Sequence, residues 1–165
     1  MAAKTLYIKT SGTGSSQSSD DELATGGWVD AYTTWGLSLS ETGISRLMTP
    51  APHKQPVYNS NVISDGKAVM QDTFYHDVRQ ISLEVHITAK AGGGHTAKEN
   101  FIAQYSNFCT QVLGAGYIEM RLGFQPSVIY KFIYLDCTQF SEFKLEMAKF
   151  TLTLEEPNPA DRSLS

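Results

Sequence analysis

The chain has 165 residues and a formal net charge of −4, with 18% charged and 41% hydrophobic residues. That length suits one domain with a usable core, and the modest charge content excludes a disordered tail or a highly charged binder. Five Lys/Arg and seven Asp/Glu precede residue 73, and eight and ten follow. Both parts therefore carry the same small negative charge, and no basic stretch points to phosphate contacts with nucleic acid.

Thr5 to Lys9 reads as a short opening strand, and Ser11 to Ser19 as a Ser/Gly-rich loop. Asp20, Asp21 and Glu22 close that loop and read as a solvated loop end rather than a cation site. Trp28 to Leu39 is strand-like and holds both tryptophans, each expected in the core. Residues 40–72 are irregular, with Pro50, Pro52 and Pro56 breaking any helix or central strand. Within them Val57 to Met70 suits a hairpin turning at Asp65-Gly66. A long aperiodic insertion in a compact domain is usually functional or disordered. Val57, Tyr58, Val62, Ile63 and Met70 are accordingly the candidate contacts with neighbouring molecules.

Thr73 to Ala89 reads as a long strand, with Ile81, Leu83, Val85 and Ile87 on one face and Ser82, Glu84, His86 and Thr88 on the other. Three glycines, Gly92 to Gly94, stop it. Thr96 and Glu99 then have the spacing of a capping box. Phe101, Tyr105, Phe108 and Val112 recur at helical steps, widened by Ile102, Cys109 and Leu113, which predicts a helix over 96–113 lying on a sheet. Gly114 and Gly116 end it. Tyr117 to Leu122 alternates as a strand. Val128 to Gln139 is a strand apolar on both faces, with Tyr130, Phe132 and Tyr134 opposite Ile129, Ile133, Leu135 and Cys137. Ala148 to Glu155 is the last strand, with Phe150, Leu152 and Leu154 inward, and Asp161 to Ser165 a disposable tail.

No chemical signature stands out. His53, His76, His86 and His95 lack metal-ligand spacing, and no metal is expected. The glycine run before the helix lacks the ending of a P-loop and the spacing of a dinucleotide fingerprint. No serine sits in a Gly-x-Ser-x-Gly elbow. Cys109 and Cys137 form no Cys-x-x-Cys and read as buried reduced thiols rather than a disulfide. Neither a membrane-spanning run nor a signal-peptide core is present, so the chain is expected to stay where it is made unless it leaves within a particle. No catalytic residue and no cofactor is expected, and the chain is not expected to be an enzyme.

Several phrases carry a resemblance: Val78-Arg79-Gln80-Ile81-Ser82-Leu83; Phe108-Cys109-Thr110-Gln111-Val112-Leu113 leading to Gly116-Tyr117-Ile118-Glu119-Met120-Arg121; Ile133-Tyr134-Leu135-Asp136-Cys137-Thr138-Gln139-Phe140; and the close Lys149 to Pro159. In that order, residues 73–159 resemble the ring-forming first domain of distal tail proteins of long-tailed bacteriophages, which is similar in turn to the tail tube protein. The resemblance implies a two-sheet β-sandwich or split barrel with one flanking helix; the residues themselves read as an α+β, mainly β domain over 1–159, with an irregular insertion at 40–72 and a flexible tail at 160–165. The resemblance also implies a homo-oligomer, a hexameric ring in the virion, contacting other tail proteins. DNA would pass through without being specifically bound, and no membrane would be involved. Lumen-facing positions in the family come from the sheet, which makes Glu84 and Glu119 the candidate channel-lining residues. Many distal tail proteins continue into a second, carbohydrate-binding-like domain, and without one no direct role in host recognition is expected. The alternative from another class is a small carbohydrate- or peptide-binding sandwich using Trp28, Trp35 and Tyr58; a third is an unrecognised hydrolase.

Overall fold

The computed structural model describes residues 6–10, 26–56, 58–59, 68–69, 75–141 and 143–162. In chain order these form β1 (Leu6–Thr10), β2 (Val29–Asp30), α1 (Ala31–Trp35), β3 (Leu37–Leu39), α2 (Glu41–Met48), β4 (Tyr58–Asn59), β5 (Ala68–Val69), β6 (Arg79–Thr88), α3 (Ala97–Phe108) running into a π-helical turn (Cys109–Leu113), β7 (Ile118–Leu122), β8 (Gln125–Ser141) and β9 (Met147–Glu156). Seven strands make one antiparallel sheet in the order β2-β1-β7-β8-β9-β6-β3.

The fold is mainly β, but the two packed sheets expected of a sandwich are not formed by the described residues. A single sheet curls instead. The long strand β8 explains this. Its first half pairs with β7, and its second half, from Ile133 onward, pairs with β9. Leu6, Ile8, Ile118 and Met120 from one end of the sheet share a core cluster with Leu83, Val85, Ile87, Leu152 and Leu154 from the other. Two bulges in β8 help the bend, as extra residues increase twist. They also change its faces. Tyr134, Cys137 and Phe140 stand opposite Leu154, Leu152 and Phe150, so this row repeats every three residues rather than two. The expectation that Tyr134 and Cys137 take opposite faces fails for that reason.

The predicted helix is present, with both hydrogen bonds of its Thr96–Glu99 capping box. Phe101, Phe108 and Val112 are buried, whereas Ile102 is 55% exposed and lies off the core stripe. The π turn carries a tertiary anchor. It places Gln111 so that its side chain accepts from Trp35 Nε1 at 3.2 Å while its carbonyl accepts from Thr10 Oγ1 at 2.7 Å.

This helix is not alone. Trp28 to Leu39, read as one strand, breaks into β2, α1 and β3. The Asp30 carboxylate caps α1 by accepting from the Tyr32 and Thr33 N–H groups, and Gly36 ends it at φ 66°. A Cβ at Gly36 would sit 2.2 Å from the Thr88 carbonyl oxygen, so only glycine fits. Ser40 caps α2, inside the stretch read as irregular. Among the described residues β3 pairs only with Val85–Ile87, which leaves the first half of that edge of β6 without a strand partner. Helix α2 covers it: Arg46 Nη1 donates to the Ser82 carbonyl at 2.9 Å. Gly43 allows this approach, since a Cβ there would lie 2.8 Å from the Glu84 carbonyl oxygen.

Candidate assembly surface

The side of the sheet away from the core carries both glutamates expected to line a channel. Glu84 alternates with buried Leu83 and Val85 on β6, and Glu119 with buried Ile118 and Met120 on β7. They occupy different halves of the sheet, with β8 and β9 between their strands. Neither stands among like charges. Glu84 lies 3.3 Å from Lys149 Nζ and 3.7 Å from His86 Nε2. Slight burial works against its charge, but hydrogen bonds from Lys149 and Ser40 and the nearness of Lys149 and His86 outweigh it, holding the carboxyl below its ordinary range. Glu119 stands in register between Lys9 of β1 and Lys131 of β8. It borders an open cleft of about 480 Å³ with Lys9, Thr10 and exposed Tyr117.

The described residues that follow α2 in the expected insertion form a paired arm with the segment before β6. Asp77 N–H donates to the Pro52 carbonyl and Lys54 N–H to the Tyr75 carbonyl, both at 2.8 Å. Between these rungs His53 bridges His76, and their rings stack at 4.8 Å. Two of the four histidines therefore do meet, across a sequence gap that spacing alone conceals. Farther out Tyr58 pairs with Val69 and Asn59 with Ala68, as a Val57–Met70 hairpin requires. The Asp65-Gly66 turn lies outside the described residues. So do Val57, Val62, Ile63 and Met70, and of Tyr58 only the backbone pairing is described.

The tryptophans are not surface platforms. Trp35 is 1% exposed in the main core, against Phe108. Trp28 joins Tyr7 and Ile129 in a second, small cluster on the outer side, with the Arg121 guanidinium 4.3 Å from its ring. The binding-module reading thus loses both indoles. Exposed apolar side chains gather elsewhere, at the β8–β9 hairpin: Phe140, Phe143 and Leu145.

Ninety-three per cent of this chain superposes on a solved phage protein. That structure is the SPP1 Dit (gp 19.1) protein, described as a paradigm of the hub adsorption apparatus in Gram-positive-infecting phages, matched with a TM-score of 0.54 at 12% identity. The chain spans 50% of SPP1 Dit's length. At that identity the likeness to SPP1 Dit is one of fold. No protein-family model matches the chain, and no curated protein matches it in sequence.

One charged site escaped the sequence reading. Arg79 and Glu156 are paired at 2.6 Å with 3% and 1% of their side chains exposed. Arg79 also donates to the Leu47 and Thr49 carbonyls, tying β6 to the end of α2. Arg162, within the stretch expected to be a disposable tail, donates to both oxygens of Glu156 at 2.8 and 2.9 Å and so reaches back to the core. Burial lowers Arg79 from its ordinary value, although Glu156 works the other way. The hydrogen bond with Glu156 raises Arg162. The signal was parity: Arg79 falls on the inward register of Ile81 and Leu83, and Glu156 on that of Leu152 and Leu154. Among the described residues no trio of His, Cys, Asp or Glu is placed to hold a metal, and no helix is long and apolar enough to cross a membrane.

Proposed function

We propose that this chain is a structural component of a phage tail, a distal-tail or tail-tube subunit assembling as a hexameric ring around the DNA channel. The observation that carries the reading is the shared fold with SPP1 Dit over 93% of the chain. The role is architectural rather than catalytic, with other tail proteins as neighbours and the virion as destination. In this reading the outer side of the sheet, with Glu84 and Glu119, faces the lumen, and the arm bearing Val57, Tyr58, Val62, Ile63 and Met70 reaches the next subunit or ring. The alternating Lys9, Glu119 and Lys131 suit a wall that neither grips nor strongly repels DNA.

Negative-stain electron microscopy with sedimentation analysis of the purified protein tests this. Rings with a central hole are expected. A monomer at every concentration, with no annular particles, overturns it.

A further inference from the structure

Side chains of helix α3 meet aromatic rings of the β8–β9 hairpin in successive rungs. Phe101 meets Phe143 at 5.6 Å. One turn on, Tyr105 meets Phe140 at 5.8 Å and Phe150 at 6.1 Å. The next position on that helix face is Cys109. The next position in the three-residue row of β8 is Cys137, opposite Leu152. Continued by one step, the two rows bring together the chain's two cysteines, which 27 intervening residues keep apart in sequence, and both act on the Tyr105 and Tyr134 hydroxyls. Both are thiols and both are half-buried.

The tyrosines on either side sense the same arrangement. Burial pushes the Tyr105 hydroxyl up to about 12, aided by its hydrogen bond with Cys109 and by the nearby Cys137. Burial also raises Tyr134, with Cys137 and Cys109 among the groups acting on it. The backbone is irregular on both sides of the rung: the π turn begins at Cys109, and the bulges of β8 flank Cys137.

We propose that Cys109 and Cys137 form a redox modification site, closing reversibly into a disulfide between α3 and β8 on contact with a small-molecule disulfide oxidant. One cysteine, as thiolate, attacks the oxidant's S–S bond and expels one thiolate. The second thiolate attacks the protein sulfur of that mixed disulfide and expels the other. Two electrons pass to the oxidant, and the two cysteine protons end on the released thiols or in solvent. The inference rests on the helix–sheet contact and is independent of the tail reading.

The test treats the purified full chain with oxidised glutathione. The expected product is a monomer lighter by two hydrogens, with peptide mapping joining Cys109 to Cys137. Its thermal midpoint should rise by roughly 5–10 °C, because the link closes a long loop in the unfolded chain, and dithiothreitol should reverse the rise. Cys109→Ser should abolish the internal link; if that variant does not fold, the wild-type peptide map decides. Stable glutathione adducts on separate cysteines, disulfide-linked dimers, or thiols left unreacted in the native chain would each overturn the proposal.

Discussion

Two guanidiniums share one carboxylate at the end of the core. Arg79 is buried with Glu156, while Arg162 approaches from a more exposed position. The worth of such a pair shows when it is broken, since removing one partner leaves a buried charge without compensation. Glu156→Ala should therefore cost about 3–5 kcal/mol, read as a lower urea midpoint with unchanged slope. Arg162→Ala should cost clearly less, because Arg79 keeps its partner. Equal losses would mean that the link to residue 162, rather than the buried pair, holds this end together. Strand parity alone places both buried groups inward. What parity cannot supply is the partner, 77 positions away, which the β6–β9 register brings opposite.

Among the elements, α3 depends on its first turn. Thr96 N–H and Oγ1 donate to Glu99 Oε2 at 2.8 and 2.9 Å, and Glu99 N–H donates back to Thr96 Oγ1 at 3.3 Å. These bonds hold the Glu99 carboxyl below its ordinary range. A carboxylate lowered on folding adds stability that is complete above its unfolded pKa and is lost as pH falls through the folded one. Thr96→Ala should cost roughly 1 kcal/mol at neutral pH, and the gap to wild type should narrow on acidification through the carboxylate range. A gap independent of pH would show that the box contributes without its charge. The arm is an element of another kind, held at its stem by the Pro52–Asp77 and Lys54–Tyr75 hydrogen bonds. Replacing residues 57–70 with a short glycine-containing turn should leave circular dichroism and the thermal midpoint nearly unchanged and abolish the proposed ring assembly. Loss of folding would make the arm part of the core instead. The helix and the hairpin were legible because each is specified by neighbours in sequence. Helix α1 was missed because Thr33, Thr34 and Trp35 favour strands, and the local signals that prevail, Asp30 as cap and Gly36 as stop, are only two residues.

At the scale of the molecule, the proposed conduit should not hold DNA. Composition and the mixed charges on the outer side of the sheet point the same way. No measurable affinity for duplex DNA is expected even at low salt, where phosphate contacts are strongest. Micromolar binding that weakens steeply as salt is added would reveal a basic surface and favour a DNA-binding module. The sequence by itself determined the strands β7 and β9, the alternating part of β6 from Arg79 (though not the start expected at Thr73), the span of the helical segment and the identity of most core residues. These follow from periodicity and capping, which act within a few residues. Only the tertiary structure decided that β8 bends to serve both halves of one curled sheet, that two bulges turn Tyr134, Cys137 and Phe140 into a single row, and that Arg79 meets Glu156. Each depends on inter-strand register, a property of pairs of distant segments that no single stretch of chain encodes.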